Sequence, residues 1–389
     1  MNGELFRLAS LSERWASLKA AFPKVFRSDE AVFDAKSTTN RYCLLDLLRF
    51  LACAMVILWH YQHFYYVRPA VFAPEWNCSG QPFFSALSFG YKQGHFGVQL
   101  FWTLSGFVFF ALFSRRINEG TLTARRFAVD RFSRLYPLHF LSLFAVAALT
   151  RVLRHLTGSD GIYPCNDLYH FVLNLFFVPC ILPNRGYSFN CPVWSVSLEL
   201  VAYCVFFVFA KFRRPTVFKV WAIALACLFW RPWPVGFPYG IHVDQCLFCF
   251  FSGGGVFLLL RAWSRHLDGR LAYLLLVAAA LALGLWFRNR YVWIPFAVLL
   301  FSFPFRIPGR LGAVCTHLGN LTYSVYMVHI PLQLTLMAAA KLVLGRHTAE
   351  IASSPKFFFF YLAVLWVVAA ATYRLFELPA KNRIRALLS

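Results

Sequence analysis

The stretch Leu45-Asp46-Leu47-Leu48-Arg49-Phe50-Leu51-Ala52-Cys53-Ala54-Met55-Val56-Ile57-Leu58-Trp59-His60 sets two charges and an imidazole inside an otherwise apolar run. Together with the residues that flank it, over 43–67, the run is long enough to cross the hydrocarbon of a bilayer, which takes about 20 predominantly apolar residues as a helix. Ionisable groups inside such a span are costly, and they mark functional positions by default. Arg49 and His60 are separated by eleven residues, three turns and roughly 16 Å of helix rise, so they share a face at different depths. Asp46 precedes Arg49 by one turn and can pair with it.

Nine further apolar runs follow, at 95–114, 135–153, 192–210, 217–235, 240–260, 271–287, 291–305, 318–345 and 356–377. The composition agrees with them. The 389 residues are 59% hydrophobic and 19% aromatic, with only 14% charged, against about 25% charged in a soluble domain. Forty-five Phe and twelve Trp exceed what one aqueous core can hide. The formal charge of +22 would suggest nucleic acid in a soluble chain. Here the Lys and Arg residues cluster between the apolar runs, where they set topology, and no nucleic-acid partner is expected.

A shorter run, 170–183, ends in Pro179-Cys180-Ile181-Leu182-Pro183. If it dips in without crossing, 26 of the 38 Lys and Arg residues fall on one side and ten on the other; if it crosses, the bias vanishes. The expected fold is therefore an all-α, polytopic integral membrane helix bundle of about ten transmembrane helices, with both termini cytoplasmic. Residues 1–40 lack an apolar core for a signal peptide and read as a cytoplasmic N-terminal extension to a transmembrane domain at 41–385. Internal repeats of the kind seen in many transporters are not evident. Cys246 and Cys249 sit in an apolar run with no second pair, so neither zinc nor redox chemistry is expected there. Cys165 and Cys191 fall in segments placed outside, where a disulfide and two free thiols are both open readings.

Several other positions carry chemistry. Glu199 lies one to two turns inside the fourth long span, with Ser195 at i−4 on its face. Counting helix rise from the outer boundary puts Glu199 and His60 at similar depth, which suits a carboxylate-assisted imidazole base. Six Arg occur between residues 115 and 134. Of these, Arg131 and Arg134 lie nearest the bundle, and their planar forks suit phosphate. Thr103, Ser105 and Gly106 place small residues mid-helix, where helices approach closely. Tyr326 and His329 lie in the apolar zone before Pro331.

Taken in order, these motifs resemble those of the acyltransferase 3 family of membrane acyltransferases, which contains O-antigen and exopolysaccharide O-acetyltransferases. The matching segments are Asp46-x-x-Arg49 followed by His60, Phe101-Trp102-Thr103-Leu104-Ser105-Gly106-Phe107, Arg131-x-x-Arg134-Leu135-Tyr136-Pro137, Trp194-Ser195-x-x-x-Glu199, Ser324-x-Tyr326-x-x-His329-x-Pro331 and Phe376-Glu377-Leu378-Pro379. The Asp-Gly-Leu-Arg usual at the first motif is Asp46-Leu47-Leu48-Arg49 here. The resemblance implies an acyl-CoA donor, acetyl-CoA in the first instance, a carbohydrate or glycolipid acceptor, no permanently bound cofactor or metal, and residence in a bacterial inner membrane. By the chemistry of the residues, Arg49, Arg131 and Arg134 are expected to hold the CoA phosphates, and His60, oriented by Glu199, to deprotonate the acceptor hydroxyl. Asp46, Ser105, Ser195, Tyr326 and His329 are the remaining pocket candidates. Direct transfer and a covalent acyl-imidazole on His60 are both open. The rival reading is a transporter or flippase of a lipid-linked sugar, which would also bury Arg, His and Glu.

Overall fold

The computed structural model describes residues 43–229, 242–263, 269–287, 290–302 and 309–388; the N-terminal extension lies outside the described residues. The architecture is all-α. The first helix, α1 (Cys43–His60), continues as a 3-10 turn (Tyr61–Tyr65) into a two-stranded antiparallel hairpin, β1 (Tyr66–Arg68) and β2 (Val71–Phe72). Next come α2 (Phe84–Gln93), α3 (Phe96–Leu112), α4 (Ser114–Asn118), α5 (Ala124–Thr157), α6 (Leu168–Leu175), α7 (Val193–Phe212) and α8 (Val217–Phe229). The rest of the bundle comprises α9 (Val243–Trp263), α10 (Gly269–Phe287), α11 (Arg290–Phe301), α12 (Gly309–Leu344), α13 (Pro355–Thr372), a π-helical turn (Tyr373–Glu377) and α14 (Leu378–Leu388).

Each of the ten long apolar runs overlaps a helix over its described residues. Six helical stretches are long and apolar enough to cross a membrane on their own, and α2 with α3 forms a seventh, bent by 65° at its break. Helices α8, α10 and α11 are apolar but shorter. At eight residues, α6 is too short to cross as a helix.

One boundary differs from expectation. The Arg-rich segment 124–134 is not a loop before a span; it forms the opening turns of α5, a 34-residue helix. Thr123 caps its first turn by accepting from the Arg126 backbone N–H. Gly158, at φ 71°, ends it in the left-handed conformation. At about 1.5 Å per residue this helix is about 51 Å long, longer than a hydrocarbon core of about 30 Å. Its Arg-bearing opening turns are continuous with the apolar turns that follow.

The centre of the bundle is the crossing of α3 and α9. A Cβ on Gly106 would sit 1.7 Å from the Phe250 carbonyl oxygen, and one on Gly253 would sit 1.9 Å from that of Thr103. The two backbones touch at reciprocal glycines, the arrangement that lets helices associate in lipid through packing rather than hydrophobic drive. Phe107, Phe110, Phe250 and Phe251 close around the crossing and are almost fully buried. Helix α1 meets α3 in the same way, Gly97 lying against the Ala52 carbonyl.

A branched side chain at the crossing has nowhere to go. Gly106→Val should cost at least about 1–3 kcal/mol, read as a lowered Tm and loss of monodisperse protein after detergent extraction. Gly80→Ala, where no atom lies within 4 Å of the added carbon, should leave both unchanged. Equal behaviour of the two variants would mean that the α3–α9 contact is not what holds the bundle.

Candidate active site

Two cavities are stacked along the axes of α1, α3 and α7. The first, of about 230 Å³, is lined by Arg49, Ser105, Arg131, Arg134, Glu199, Tyr203 and Tyr323, among others. The second, of about 490 Å³, is lined by His60 and His63, by Trp59, Trp102 and Trp194, and by Gln99 and Gln245 in its polar part. Val98, Trp102 and Tyr326 belong to both walls. Arg49 and His60, at the two ends of one helix face, therefore serve different cavities that meet at Trp102 and Tyr326.

The first cavity is cationic. Asp46 stands behind Arg49 and bonds Nη1 at 3.1 Å, the pairing expected from their one-turn spacing. The Arg131 guanidinium stacks over the rings of Phe109 and Phe113, 5.1 Å from each centroid, and lies 5.9 Å from Phe127. Its Nε is buried with no hydrogen-bond partner among the described residues. Aromatic faces stabilise a guanidinium without consuming its donors, so the stacking leaves the N–H groups of Arg131 uncommitted. Glu199 accepts from Ser105 and from Tyr203, the latter at 2.6 Å.

The expected pairing of Glu199 with His60 is not formed: the hydrogen bonds of Glu199 go to Ser105 and Tyr203, and His60 bonds elsewhere. The depth estimate placed the end of the first span at residue 67, whereas the α-helix stops at His60 and the chain tightens into the 3-10 turn. His60 is thus level with Trp194, which shares its cavity, and Glu199 lies five residues, roughly 7.5 Å, further along α7. Ser195 likewise bonds away from Glu199. Its hydroxyl lies 2.7 Å from that of Tyr326, which is also 2.9 Å from the Pro192 carbonyl. The Trp102 indole donates to the Ser195 carbonyl at 3.2 Å. The wall shared by the cavities is therefore pinned by hydrogen bonds from α3, α7 and α12.

The partner of His60 is His329. The Nε2 of His329 lies 2.9 Å from Nδ1 of His60, with the rings stacked at 4.9 Å. Nδ1 of His329 lies 2.7 Å from the Tyr326 carbonyl oxygen. A carbonyl only accepts, so Nδ1 of His329 carries the proton, and the neutral ring presents a lone pair at Nε2. His60, which lines the second cavity, then donates through Nδ1 and keeps a lone pair on its own Nε2. His329 thus fixes the tautomer and the ring orientation of His60 with a neutral partner.

Sequence reasoning missed Tyr203, Tyr323 and His63. The first two are ordinary helix aromatics in sequence, and only the packing gives them polar partners: Tyr203 donates to Glu199 and Tyr323 to the Leu135 carbonyl. His63 was signalled by its spacing, one turn past His60. Cys165 and Cys191 are separate free thiols, as are Cys246 and Cys249. No cluster of three metal-ligating side chains forms among the described residues.

A family model of the acyltransferase domain matches residues 44–373, and the chain belongs to that family, acyltransferase 3. It is 29% identical over 182 residues to protein 2 in the picA locus of Rhizobium radiobacter, an alignment covering 44% of this chain and 84% of that protein. It is also 29% identical over 140 residues to the exopolysaccharide production protein ExoZ of Rhizobium meliloti, covering 32% of this chain and 40% of ExoZ. No solved structure matches it. Membership makes the chain a multi-pass membrane acyltransferase and sets the transporter reading aside.

The geometry separates two couplings that the sequence could not. In thermal unfolding of the purified protein, the His60→Ala and His329→Ala changes should be non-additive by about 0.5–3 kcal/mol, and His60→Ala with Glu199→Ala additive within about 0.5 kcal/mol. The reverse pattern would restore Glu199 as the partner of His60.

Proposed function

We propose that this protein transfers an acetyl group from acetyl-CoA to a hydroxyl of a surface polysaccharide or of its lipid-linked precursor. The observation that carries the reading is the meeting of a cationic cavity and an imidazole cavity at one hydrogen-bonded wall. The relationship to an exopolysaccharide production protein supports the acceptor class. Ten spans, cytoplasmic termini and a bacterial inner membrane complete the reading, on the strength of the basic bias of the loops. In this orientation the Arg cavity opens to the cytosol, where acyl-CoA is found, and the His60 cavity opens to the far side.

Arg49, Arg131 and Arg134 hold the CoA phosphates, whose oxygens match the guanidinium fork. The pantetheine arm passes between Trp102 and Tyr326 and brings the thioester carbonyl to His60. His60 Nε2 takes the proton of the acceptor hydroxyl as that oxygen attacks the carbonyl carbon. The resulting tetrahedral centre collapses with cleavage of the carbon–sulfur bond, and the imidazolium returns the proton to the departing thiolate. His329 holds the imidazole in the required tautomer throughout. Glu199, tied to Ser105 and Tyr203, balances the cations and shapes the donor cavity.

His60→Ala should abolish transfer of labelled acetyl in membranes while acetyl-CoA still binds, because the phosphates are held some 16 Å away by helix rise. Arg49→Lys keeps the charge and loses the fork, and donor affinity should fall roughly tenfold with the protein still present in the membrane. Substantial turnover by His60→Ala, or unchanged donor affinity in Arg49→Lys, would overturn the corresponding assignment. Activity should also fall as the pH drops and His60 becomes protonated, since the base needs its lone pair.

The orientation has its own test. A reporter fused at Arg213 should register a cytoplasmic location and one at Asp160 an extracytoplasmic one. Inverted signals would place the Arg cavity on the wrong side for a cytosolic donor.

A further inference from the structure

His63 repeats the arrangement of His60 one turn further on. Its Nδ1 lies 2.9 Å from Gln333 Oε1, and Gln333 is one turn beyond His329 on α12. The Gln333 amide donates through Nε2 to the His60 carbonyl at 2.9 Å, and that carbonyl fixes which end of the amide is oxygen. The oxygen therefore faces His63, so Nδ1 of His63 carries the proton and Nε2 bears the lone pair. The rings of His60 and His63 stack at 5.0 Å with 25° between their planes. Both Nδ1 atoms are turned to α12, so both Nε2 atoms face away from it, and both rings line the same cavity. His63 is 4% exposed, and its Nε2 has no hydrogen-bond partner among the described residues.

Gln99 and Gln245 pair with each other at 3.3 Å, Trp59 and Trp194 supply flat apolar faces, His95 and His242 add two further imidazoles, and no carboxylate, Lys or Arg is among the described residues that line it. Two hydrogen-bond acceptors side by side, in a cavity walled by indoles, complement two hydroxyl donors carried on one ring with an apolar face. We infer that His63 is an acceptor-binding residue: it accepts a hydrogen bond from a second hydroxyl of the sugar ring whose neighbouring hydroxyl is acylated at His60. The inference rests on the acyl-transfer reading above and adds to it the groups that the acceptor ring must present. Only one imidazole needs to act as base, because the proton taken from the acceptor returns to the thiolate. The second lone pair is left for recognition, and it fixes which hydroxyl meets His60.

The test uses two amides that each replace one nitrogen of the imidazole. In His63→Asn the amide reaches the Nδ1 position, keeps the bond to Gln333 and loses the group at Nε2. In His63→Gln it reaches the Nε2 position, restores an acceptor oxygen there and gives up Gln333. Kinetics are measured in membranes with labelled acetyl-CoA and the producing cells' own extracellular polysaccharide, stripped of acyl groups by mild base. Thermal stability is measured on detergent-extracted protein. His63→Asn should be the more stable variant, and its KM for polysaccharide should rise roughly tenfold or more, by a larger factor than kcat falls. His63→Gln should be less stable, with its KM returning towards that of the wild type. NMR of the product should show acetyl at one ring position with the wild type and spread over more than one with His63→Asn. A KM that follows the order of stability, or an unchanged acetyl position with His63→Asn, would overturn the assignment of His63 and leave acyl transfer standing. Failure of the wild type to consume acetyl-CoA, with no change on His60→Ala, would overturn both.

Discussion

A polar group in the hydrocarbon of a bilayer must find its partner within the protein, since lipid offers none. Helix α12 supplies much of what this site requires. Tyr323, Tyr326, His329 and Gln333 recur at three- and four-residue spacing along it and so share one face. Through that stripe they bond in turn to the Leu135 carbonyl, to Ser195 and Pro192, to His60, and to His63. The opposite side of the same helix is tied by Ser324, which donates to the buried Glu377 at the π-helical turn. Removing one group from this series strands its partner, which costs more than the bond itself contributed. The site is therefore built as one network rather than as separate residues inserted into separate helices.

The helices were legible in the sequence because lipid imposes a length and an apolarity that ordinary folds do not. The Asp46–Arg49 pair followed from helical periodicity, and the close approach at Gly106 from the small residues around it. Depth was harder to read. Rise per residue is fixed, but the residue at which each helix begins its count is not, and an error of seven residues at the end of α1 moved His60 away from Glu199 by more than a turn. The Arg-rich start of α5 was hidden for a related reason: hydropathy marks where a helix leaves the apolar zone, not where it stops being a helix. The tautomers of His60 and His63 were beyond the sequence altogether, because a carbonyl and an amide some 270 residues away in the chain decide them.

Keeping the charges and the imidazoles in separate cavities divides the chemical work. Guanidinium groups belong where a polyanion must be held, and Phe109, Phe113 and Phe127 let Arg131 stay charged with its donors free. Neutral imidazoles belong where a proton is to be taken, and a nearby cation would lower their basicity. The wall formed by Val98, Trp102 and Tyr326 separates the two environments by about the thickness of one side-chain layer.

That wall has a consequence for the cell as well as for the reaction. A passage able to admit a thioester arm from one side and a sugar from the other would, if it stood open, also conduct water and ions. An indole and a phenol tied to the Ser195 carbonyl, the Ser195 hydroxyl and the Pro192 carbonyl set groups that carry no charge into the wall between the cavities. For the acyl transfer proposed above, such a wall would serve as an electrical insulator that preserves the voltage and the proton gradient across the membrane.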